Sequence, residues 1–186
     1  MAEPVHYFGE LLMASGGVGA IMQVAYLVED IDKAVARWTA MGVGPFFVGR
    51  HLKYAVQTHR GEDISADISA AFAYAGDLQI ELMQQHNDAP SSLTEFKSVH
   101  GFGSHHLGIL SKDIDADAAA FVERGLKPIS RWVSVIGVET RFFEAELDGG
   151  SVIELIQSSP AVEDGFAQMK AASATWDRSG PAYFEF

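Results

Sequence analysis

The sequence predicts an α+β fold built from two copies of one unit, because two pairs of segments repeat in the same order. IELMQ, which contains Glu81, reappears as IELIQ, which contains Glu154. Upstream of these, QVAYLVEDIDKAVARWTAMGVGP, beginning at Gln23, aligns without a gap with HLGILSKDIDADAAAFVERGLKP, beginning at His106. Two matches in the same order indicate a duplicated module rather than chance similarity between two ordinary units.

The elements within each copy follow from local signals. An apolar strand (VAYLV or LGIL) leads to an aspartate suited to a helix N-cap, Asp30 or Asp113. Apolar residues then recur at helical spacing until a glycine ends the helix, Gly42 or Gly125. Two or three strands follow, and the last hairpin carries IEL(M/I)Q. The first copy is longer, and we expect a loop around HRGEDISAD to hold the extra residues.

The repeat sets the expected organisation of the chain. The first βαβββ module covers residues 20–90 and the second covers residues 91–158. Residues 1–19 and 159–186 fall outside the repeat and are predicted to be N-terminal and C-terminal extensions.

Composition excludes several classes of partner. A formal charge of -12 argues against nucleic acid and anionic membranes, which both require clustered Lys and Arg. The chain has no cysteine, so it has no disulfide, thiol nucleophile or thiolate metal site. No stretch resembles a signal peptide or a membrane span. We therefore expect a cytoplasmic protein that acts on a small molecule.

Two glutamates interrupt otherwise apolar strands. Side chains alternate along a strand, so Ile80 and Leu82 point to one face and Glu81 to the other. Glu154 has the same relation to Ile153 and Leu155. A buried carboxylate is costly unless it is paired or binds a metal, so the two glutamates are predicted to face a cation or water.

At these residues the sequence resembles the vicinal oxygen chelate superfamily, which includes glyoxalase I, methylmalonyl-CoA epimerase, extradiol dioxygenases and bleomycin-resistance proteins. The resemblance rests on the paired IEL strands and on GFGSHHLGIL in the second copy. It implies two tandem βαβββ modules that form an open, cup-shaped mixed sheet with helices outside. It also implies one divalent metal in the cup and a homodimer.

The resemblance implies four metal ligands, which are Gln23, Glu81, His106 and Glu154. His106 is preferred to its neighbour His105 because it is the repeat partner of Gln23. Carboxylate, imidazole and amide donors suit Zn, Ni, Co, Mn, Fe or Mg, and the sequence does not distinguish among these metals. His105 is expected to point away from His106 or to lie behind the ligands.

The implied chemistry is proton transfer next to a carbonyl group, as in an isomerase, epimerase or lyase. A metal with open positions stabilises an enolate, and Glu154 and Glu81 are the predicted catalytic bases. A metal-free small-molecule binding or resistance protein of the same fold is the alternative. An extradiol dioxygenase is a weaker one, because its iron site needs a second histidine.

The substrate is predicted to be mostly apolar. A two-residue turn in the first hairpin pairs Phe72 with Glu81 and Tyr74 with Gln79, which places their side chains in the cup. The predicted substrate-binding residues are Phe72, Tyr74, Gln79, Met83, Phe46 and Trp132. In the second hairpin, either Phe143 or Glu144 faces inward, depending on loop length. His51, His59, His86 and His100 are expected on the surface or in loops, and Phe184 and Phe186 are expected to cap the body or a neighbouring subunit.

Overall fold

The structure is a computed structural model that describes residues 19–145 and 152–186. The predicted N-terminal extension, apart from Gly19, and the turn of the second hairpin lie outside the described residues. The helices are α1 (Ile31–Ala40), α2 (Ser92–His100), α3 (Ile114–Glu123) and α4 (Pro160–Thr175). The strands are β1 (Ile21–Leu27), β2 (Phe46–Gly49), β3 (Tyr54–His59), β4 (Glu62–Asp63), β5 (Ile68–Ala75), β6 (Leu78–Gln85), β7 (Gly103–Ser111), β8 (Lys127–Ser134), β9 (Glu139–Glu144), β10 (Val152–Gln157) and β11 (Tyr183–Glu185).

The described strands form one mixed sheet in the order β11-β2-β5-β6-β1-β7-β10-β9-β8-β3-β4. Its centre is symmetric, because β1 and β7 pair antiparallel and each is flanked on its other side by a parallel strand, β6 or β10. The first strand of each repeated unit therefore lies beside its last strand. The predicted α+β fold with an open, curled sheet is confirmed.

The repeated aspartates begin the two equivalent helices, as the sequence predicts. The Asp30 carboxylate accepts a hydrogen bond from the Lys33 backbone N–H at 2.9 Å, and Asp113 accepts one from Ala116 at 3.0 Å. Each satisfies a backbone donor that the first helical turn leaves without a partner.

Helices α1 and α3 cover one face of the sheet, and the opposite face of the central strands forms the cup. Ile80 and Leu82 pack with the α1 residues Ile31, Ala34 and Val35. In the second half, Ile153 and Leu155 pack in the same way with Ile114, Ala118 and Phe121 of α3. Alternation along β6 and β10 then directs Glu81 and Glu154 to the opposite face, into the cup.

The extra residues of the first copy combine a short hairpin with the expected loop, because residues 64–67 belong to no strand. β3 and β4 make a short hairpin, and β3 pairs with β8, the edge strand of the second half. Only Arg50–Lys53 separate β3 from β2, which lies toward the other end of the sheet. Four residues span only ~14 Å, so the two ends of the sheet curl toward each other. Leu52 N–H donates to Ile68 of β5, and Lys53 C=O accepts from Val135, which ties this link to both sides.

One of the histidines expected on the surface or in loops is buried. His59 is 5% exposed, its Nδ1 lies 2.8 Å from Ser130 Oγ, and its Nε2 lies 3.0 Å from a Glu95 oxygen. The expectation was wrong for His59 because β3 is a paired strand and not a loop. His51 and His86 are exposed, and their rings stack 4.5 Å apart.

The C-terminal extension packs against the first half of the sheet. α4 lies over β5, where Ser173 Oγ accepts a hydrogen bond from the Tyr74 backbone N–H at 3.2 Å. β11 pairs parallel with β2, and the Phe184 ring lies 5.6 Å from the Phe47 ring. The extension therefore caps the body. Within the part of the chain that the structure describes, no helix has the length and apolar character needed to cross a membrane.

Candidate metal centre

Three ionisable side chains meet on the cup face of the central strands. Glu81 lies on β6, His106 on β7 and Glu154 on β10, and all three are buried. His106 Nε2 lies 3.2 Å from a Glu81 oxygen and 3.1 Å from a Glu154 oxygen. Their potential ligand atoms all lie within 4.8 Å of one another.

Strand register explains this convergence. Ala25 is the ladder partner of both Glu81 and His106, so the three side chains share one face. Gly108 pairs with Gln23 on one side and with Glu154 on the other. The small residues Ala25 and Gly108 therefore sit between larger polar residues and leave room for those side chains to approach one another.

Gln23 lies on the same face of the sheet as these three residues, and hydrogen bonds orient its side-chain amide. Its Nε2 donates to Gln79 Oε1 at 2.8 Å, and Gln79 Nε2 donates to the Tyr74 hydroxyl at 3.1 Å. These bonds leave Gln23 Oε1 buried without a hydrogen-bond partner among the described residues. Tyr74 and Gln79 therefore act on the orientation of Gln23.

Gly108 is required by the position of Gln23. A Cβ built at Gly108 would collide with Oε1 and the carbons of the Gln23 side chain. Its repeat partner is Ala25, which carries a Cβ in the first half. The glycine in HHLG thus has a packing role that concerns the candidate ligand directly.

A β-bulge brings His105 against His106. Ala25 pairs with His106 but Tyr26 pairs with Ser104, so His105 has no partner across the ladder. A bulge disturbs the alternation of side chains, and for this reason the expectation that His105 points away from His106 was wrong. His105 Nδ1 lies 2.9 Å from His106 Nδ1, and the interpretation that it lies behind the ligands agrees with this contact.

The contacts of His105 assign the protons of both rings. His105 Nε2 lies 3.3 Å from the Ser92 carbonyl, to which it can only donate. Its Nδ1 then accepts from His106 Nδ1–H, so His106 Nε2, the nitrogen that faces the two glutamates, is the one that would give up its proton to bind a metal. Burial lowers the pKa of His105 to about 3, and nearby His106 adds to this effect, so His105 stays neutral and can accept.

The two glutamates dominate the electrostatics of the site. Burial lowers the pKa of His106, but Glu154 and Glu81 outweigh it and raise that pKa to about 9. Burial raises the pKa of Glu81, which His106 partly offsets and Glu154 reinforces. Burial also raises the pKa of the Tyr54 hydroxyl, with the same two carboxylates adding to the effect. A cation between these groups would relieve the excess negative charge.

The donor set fits a divalent metal ion. His106 Nε2 is buried and, despite the short distances to the carboxylates, has no hydrogen bond of acceptable geometry among the described residues. Gln23 Oε1 also lacks a partner. Ligand atoms that share an ion at ~2.1 Å lie ~3 Å apart, which matches the distances between His106 and the two glutamates. Two carboxylates, one imidazole and one amide oxygen are suitable ligands for such an ion.

A cavity of about 630 Å³ opens above these residues. Of the predicted substrate-binding residues, Phe72, Met83 and Trp132 line it, together with Gln23, Glu81 and Glu154. The predicted ladder pairs of the first hairpin, Phe72 with Glu81 and Tyr74 with Gln79, are present. In the second hairpin, Phe142 pairs with Glu154 and contacts His106, whereas Phe143 packs against α3, so Glu144 shares the face of Phe142.

Phe46 does not line the cavity. It is fully buried on the helix side of β2 with Ile31 and Ala34 of α1, because alternation along β2 turns Phe47 and not Phe46 to the face of Phe72. Its prediction as a substrate-binding residue was wrong. Tyr74 and Gln79 likewise lie beside Gln23 and do not belong to the cavity wall.

Several cavity residues were not predicted from the sequence. Tyr54 comes from the β3 insertion, and Val162, Phe166 and Met169 come from α4. The spacing of the last three on one helical face is a readable signal, but sequence alone does not show that this face turns toward the cup.

The fold and the buried donors define the class of protein: a two-module, cup-shaped α+β protein with a candidate metal centre on its central strands. Comparison with protein families agrees with this class. Residues 22–143, more than half of the chain, match the glyoxalase/bleomycin resistance protein/dioxygenase superfamily, and the chain belongs to it. This confirms the resemblance to the vicinal oxygen chelate superfamily. No curated protein matches the chain.

Solved structures support the fold at low sequence identity. A hypothetical protein from Bacillus halodurans C-125 is 18% identical, with a TM-score of 0.54, and the match covers 75% of this chain and 94% of that one. Methylmalonyl-CoA epimerase from Mycobacterium tuberculosis is 20% identical, with a TM-score of 0.53 and coverage of 77% and 91%. A Streptomyces coelicolor methylmalonyl-CoA epimerase variant with bound 2-nitronate-propionyl-CoA is 17% identical, with a TM-score of 0.50 and coverage of 77% and 99%.

Proposed function

We propose that this protein is a divalent-metal-dependent enzyme that transfers a proton next to a carbonyl group, as an isomerase, epimerase or lyase. The observation that carries the proposal is the buried cluster of Glu81, His106 and Glu154, together with Gln23, which lines the same cavity. Gln23 Oε1 and His106 Nε2 lack hydrogen-bond partners among the described residues. These four residues would hold the metal. When bound, the ion supplies Lewis acidity to a carbonyl oxygen and so lowers the barrier to removing the neighbouring proton.

The side chains of the site supply the remaining steps. Glu81 and Glu154 approach His106 from two different strands and both line the cavity, so a substrate carbon above them has a carboxylate toward either side. One carboxylate takes the proton, and the same or the opposite carboxylate returns it. Return from the opposite side inverts the carbon, and return to a neighbouring carbon isomerises the substrate. The apolar walls keep water from the anionic intermediate.

A mostly apolar carbonyl compound is the proposed substrate. Phe72, Met83 and Trp132 line the cavity, and no Lys or Arg occurs among its described lining residues. The likeness to methylmalonyl-CoA epimerases supports the class of proton transfer only through the shared fold, since identity is low. We also propose that the protein is a homodimer, that it is cytoplasmic, and that its two modules cover residues 20–90 and 91–158.

Solvent deuterium exchange tests the reaction class without knowledge of the natural substrate. The protein is incubated in D₂O with a panel of enolisable ketones and aldehydes, and exchange at the carbon next to the carbonyl is followed by NMR. We expect exchange that requires a divalent metal and that Glu154→Gln reduces by roughly 100-fold or more. Metal content, measured in parallel, should fall much less in this variant.

Three results distinguish the competing functions. Equal losses of metal and exchange in Glu154→Gln would make Glu154 only a ligand. A protein that takes up no divalent metal at micromolar concentration would instead be a metal-free binding or resistance protein of the same fold. Oxygen consumption with a catechol and Fe(II) would indicate an extradiol dioxygenase, although the described cluster offers one imidazole and two carboxylates.

A further inference from the structure

We propose that the cavity binds an uncharged, mostly apolar small molecule, and that α4 limits the size of this ligand. The inference rests on the proposed function for the chemistry at the cavity floor, but the class of ligand follows from the cavity walls. Helix α4 and Phe186 follow the repeated modules and supply part of these walls, so this side of the cavity comes from the C-terminal extension.

The inner face of α4 is apolar, yet no residue of this helix is buried. Half-buried residues recur along it at helical spacing: Val162, Gly165, Phe166, Met169, Ala172 and Ser173. A stripe of this kind on a helix that covers a sheet is normally buried. Here Val162, Gly165, Phe166 and Met169 line the cavity, so open space separates their apolar surface from the sheet. A bound apolar molecule would complete this burial.

The helix is held by contacts away from the cavity. Ser173 bonds to Tyr74, Lys170 pairs with Asp77 at 2.7 Å, and Trp176 follows the helix. The Trp176 ring packs so closely on Gly44 that a Cβ there would collide with it. These contacts position α4 without filling the space beneath it. The cavity therefore does not depend on close contact between the helix and the cup.

The charges around the cavity favour a neutral ligand. The only charged residues among its described lining are Glu81 and Glu154, which belong to the candidate metal centre. Arg50, near the C-terminal tail, is already paired with Asp32 and Glu185, at 2.7 Å each. An anionic group away from the metal would thus find no counter-charge, and a coenzyme A tail carries several such groups.

The proposed function requires a carbonyl oxygen on this ligand, at the candidate metal centre. The ligand is therefore mostly apolar but carries at least one neutral oxygen.

Gly165 leaves space on the side of α4 that faces the cavity, because it has no side chain. A Cβ built at this position meets no atom within 4 Å, so a side chain there would extend into open space. Glycine is also a poor residue for a helix interior, so its presence gives no local benefit to the helix. We infer that the missing side chain leaves volume for the ligand.

Calorimetric titration tests the inference with straight-chain methyl ketones of increasing length. Affinity should rise with chain length until the cavity is full, in the metal-loaded protein and, more weakly, after chelation of the metal. Gly165→Leu should weaken the longest bound ketone by at least roughly 10-fold and affect the shortest one much less. Gly165→Ala controls for helix propensity, and Ala171→Leu places the same side chain on the exposed face of α4. Both controls should bind like the parent protein.

A cavity-enlarging variant keeps the test valid if Gly165→Leu fails to fold. Phe166→Ala should extend the series to longer ketones. Equal effects of Gly165→Leu and Ala171→Leu would overturn the role of α4. Coenzyme A, or a carboxylic acid of matched length, binding the chelated protein as tightly as the ketone would overturn the neutral ligand. Ketone binding without metal uptake would remove only the proposed function, whereas metal uptake without ketone binding would remove only this inference.

Discussion

Gln23 and His106 occupy equivalent positions in the two repeated units, but different neighbours orient them. In the first half, Gln79 and Tyr74 hold the amide of Gln23 through hydrogen bonds along the cup face. In the second half, His105 holds the His106 ring from within the same strand, through a bulge. Duplication thus conserved the place of the donor, while each half acquired its own way of fixing the donor atom.

The largest expected difference between the halves is how much Gln23 and His106 each contribute to metal affinity. His106→Ala should reduce divalent metal affinity beyond the roughly 100-fold range typical of outer-shell partners, because imidazole is a strong ligand. Gln23→Ala should cost less, since a neutral amide oxygen is a weaker donor. Competition with a fluorescent chelator measures both affinities. Equal losses would mean that the halves contribute alike, and the expected difference would be wrong.

A smaller effect is expected at the small residues between the donors. Gly108→Ala places a methyl group against Gln23 Oε1 and should lower metal affinity by roughly 10-fold to 100-fold by displacing that oxygen. The matched change in the other half, Ala25→Gly, removes a methyl group and should leave affinity nearly unchanged while lowering stability by about 1 kcal/mol. Gly108→Ala in a Gln23→Ala background should cost much less further affinity, because only the contact with the Cβ of residue 23 then remains. An undiminished loss there would indicate a different cause.

The smallest effect concerns the contact between the β3–β4 hairpin and α2. Arg60 hydrogen bonds, opposed in part by burial and aided by His59, lower the pKa of Glu95 to about 2. A lowered folded pKa stabilises the protein above the unfolded value near 4.5, and this contribution is lost as pH falls toward 2. Because Arg60 and Glu95 are well exposed, we expect less than about 1 kcal/mol.

Thermal unfolding as a function of pH measures this contribution. The melting temperature of Glu95→Gln should lie slightly below that of the parent protein at pH 7, and the two should converge as pH falls below 4.5. A constant difference at all pH values would assign the effect to packing rather than to the charge of Glu95. Lys33→Gln, at an exposed pair with Asp30, provides a surface control.

The repeat and strand alternation were sufficient to predict much of the fold, whereas the full donor set was proposed from the resemblance to the vicinal oxygen chelate superfamily. The face of Glu81 follows from its apolar neighbours Ile80 and Leu82, and a two-residue turn fixes its pairing with Phe72. These features depend on local periodicity, which the sequence carries directly. The place of His106 follows from its alignment with Gln23.

The missed features depend on contacts between distant segments. The bulge at His105 changes register by one residue, and no local signal distinguishes it from a regular strand. Phe46 was assigned to the wrong face because β2 is short, so its alternation gave little information. Two further features, the pairing of β3 with β8 and the position of α4 over the cup, depend on tertiary contacts. Strand and helix propensities do not determine such contacts.

The pairing of β3 with β8 also has a consequence for how the chain can be divided. β3 comes from the first repeat in sequence but forms the outer neighbour of β8 in the second. A cut between β6 and α2, at the proposed limit between the modules, would therefore remove the outer partner of β8 and expose its edge. The two repeated halves therefore depend on each other for a complete sheet, and neither is expected to fold alone.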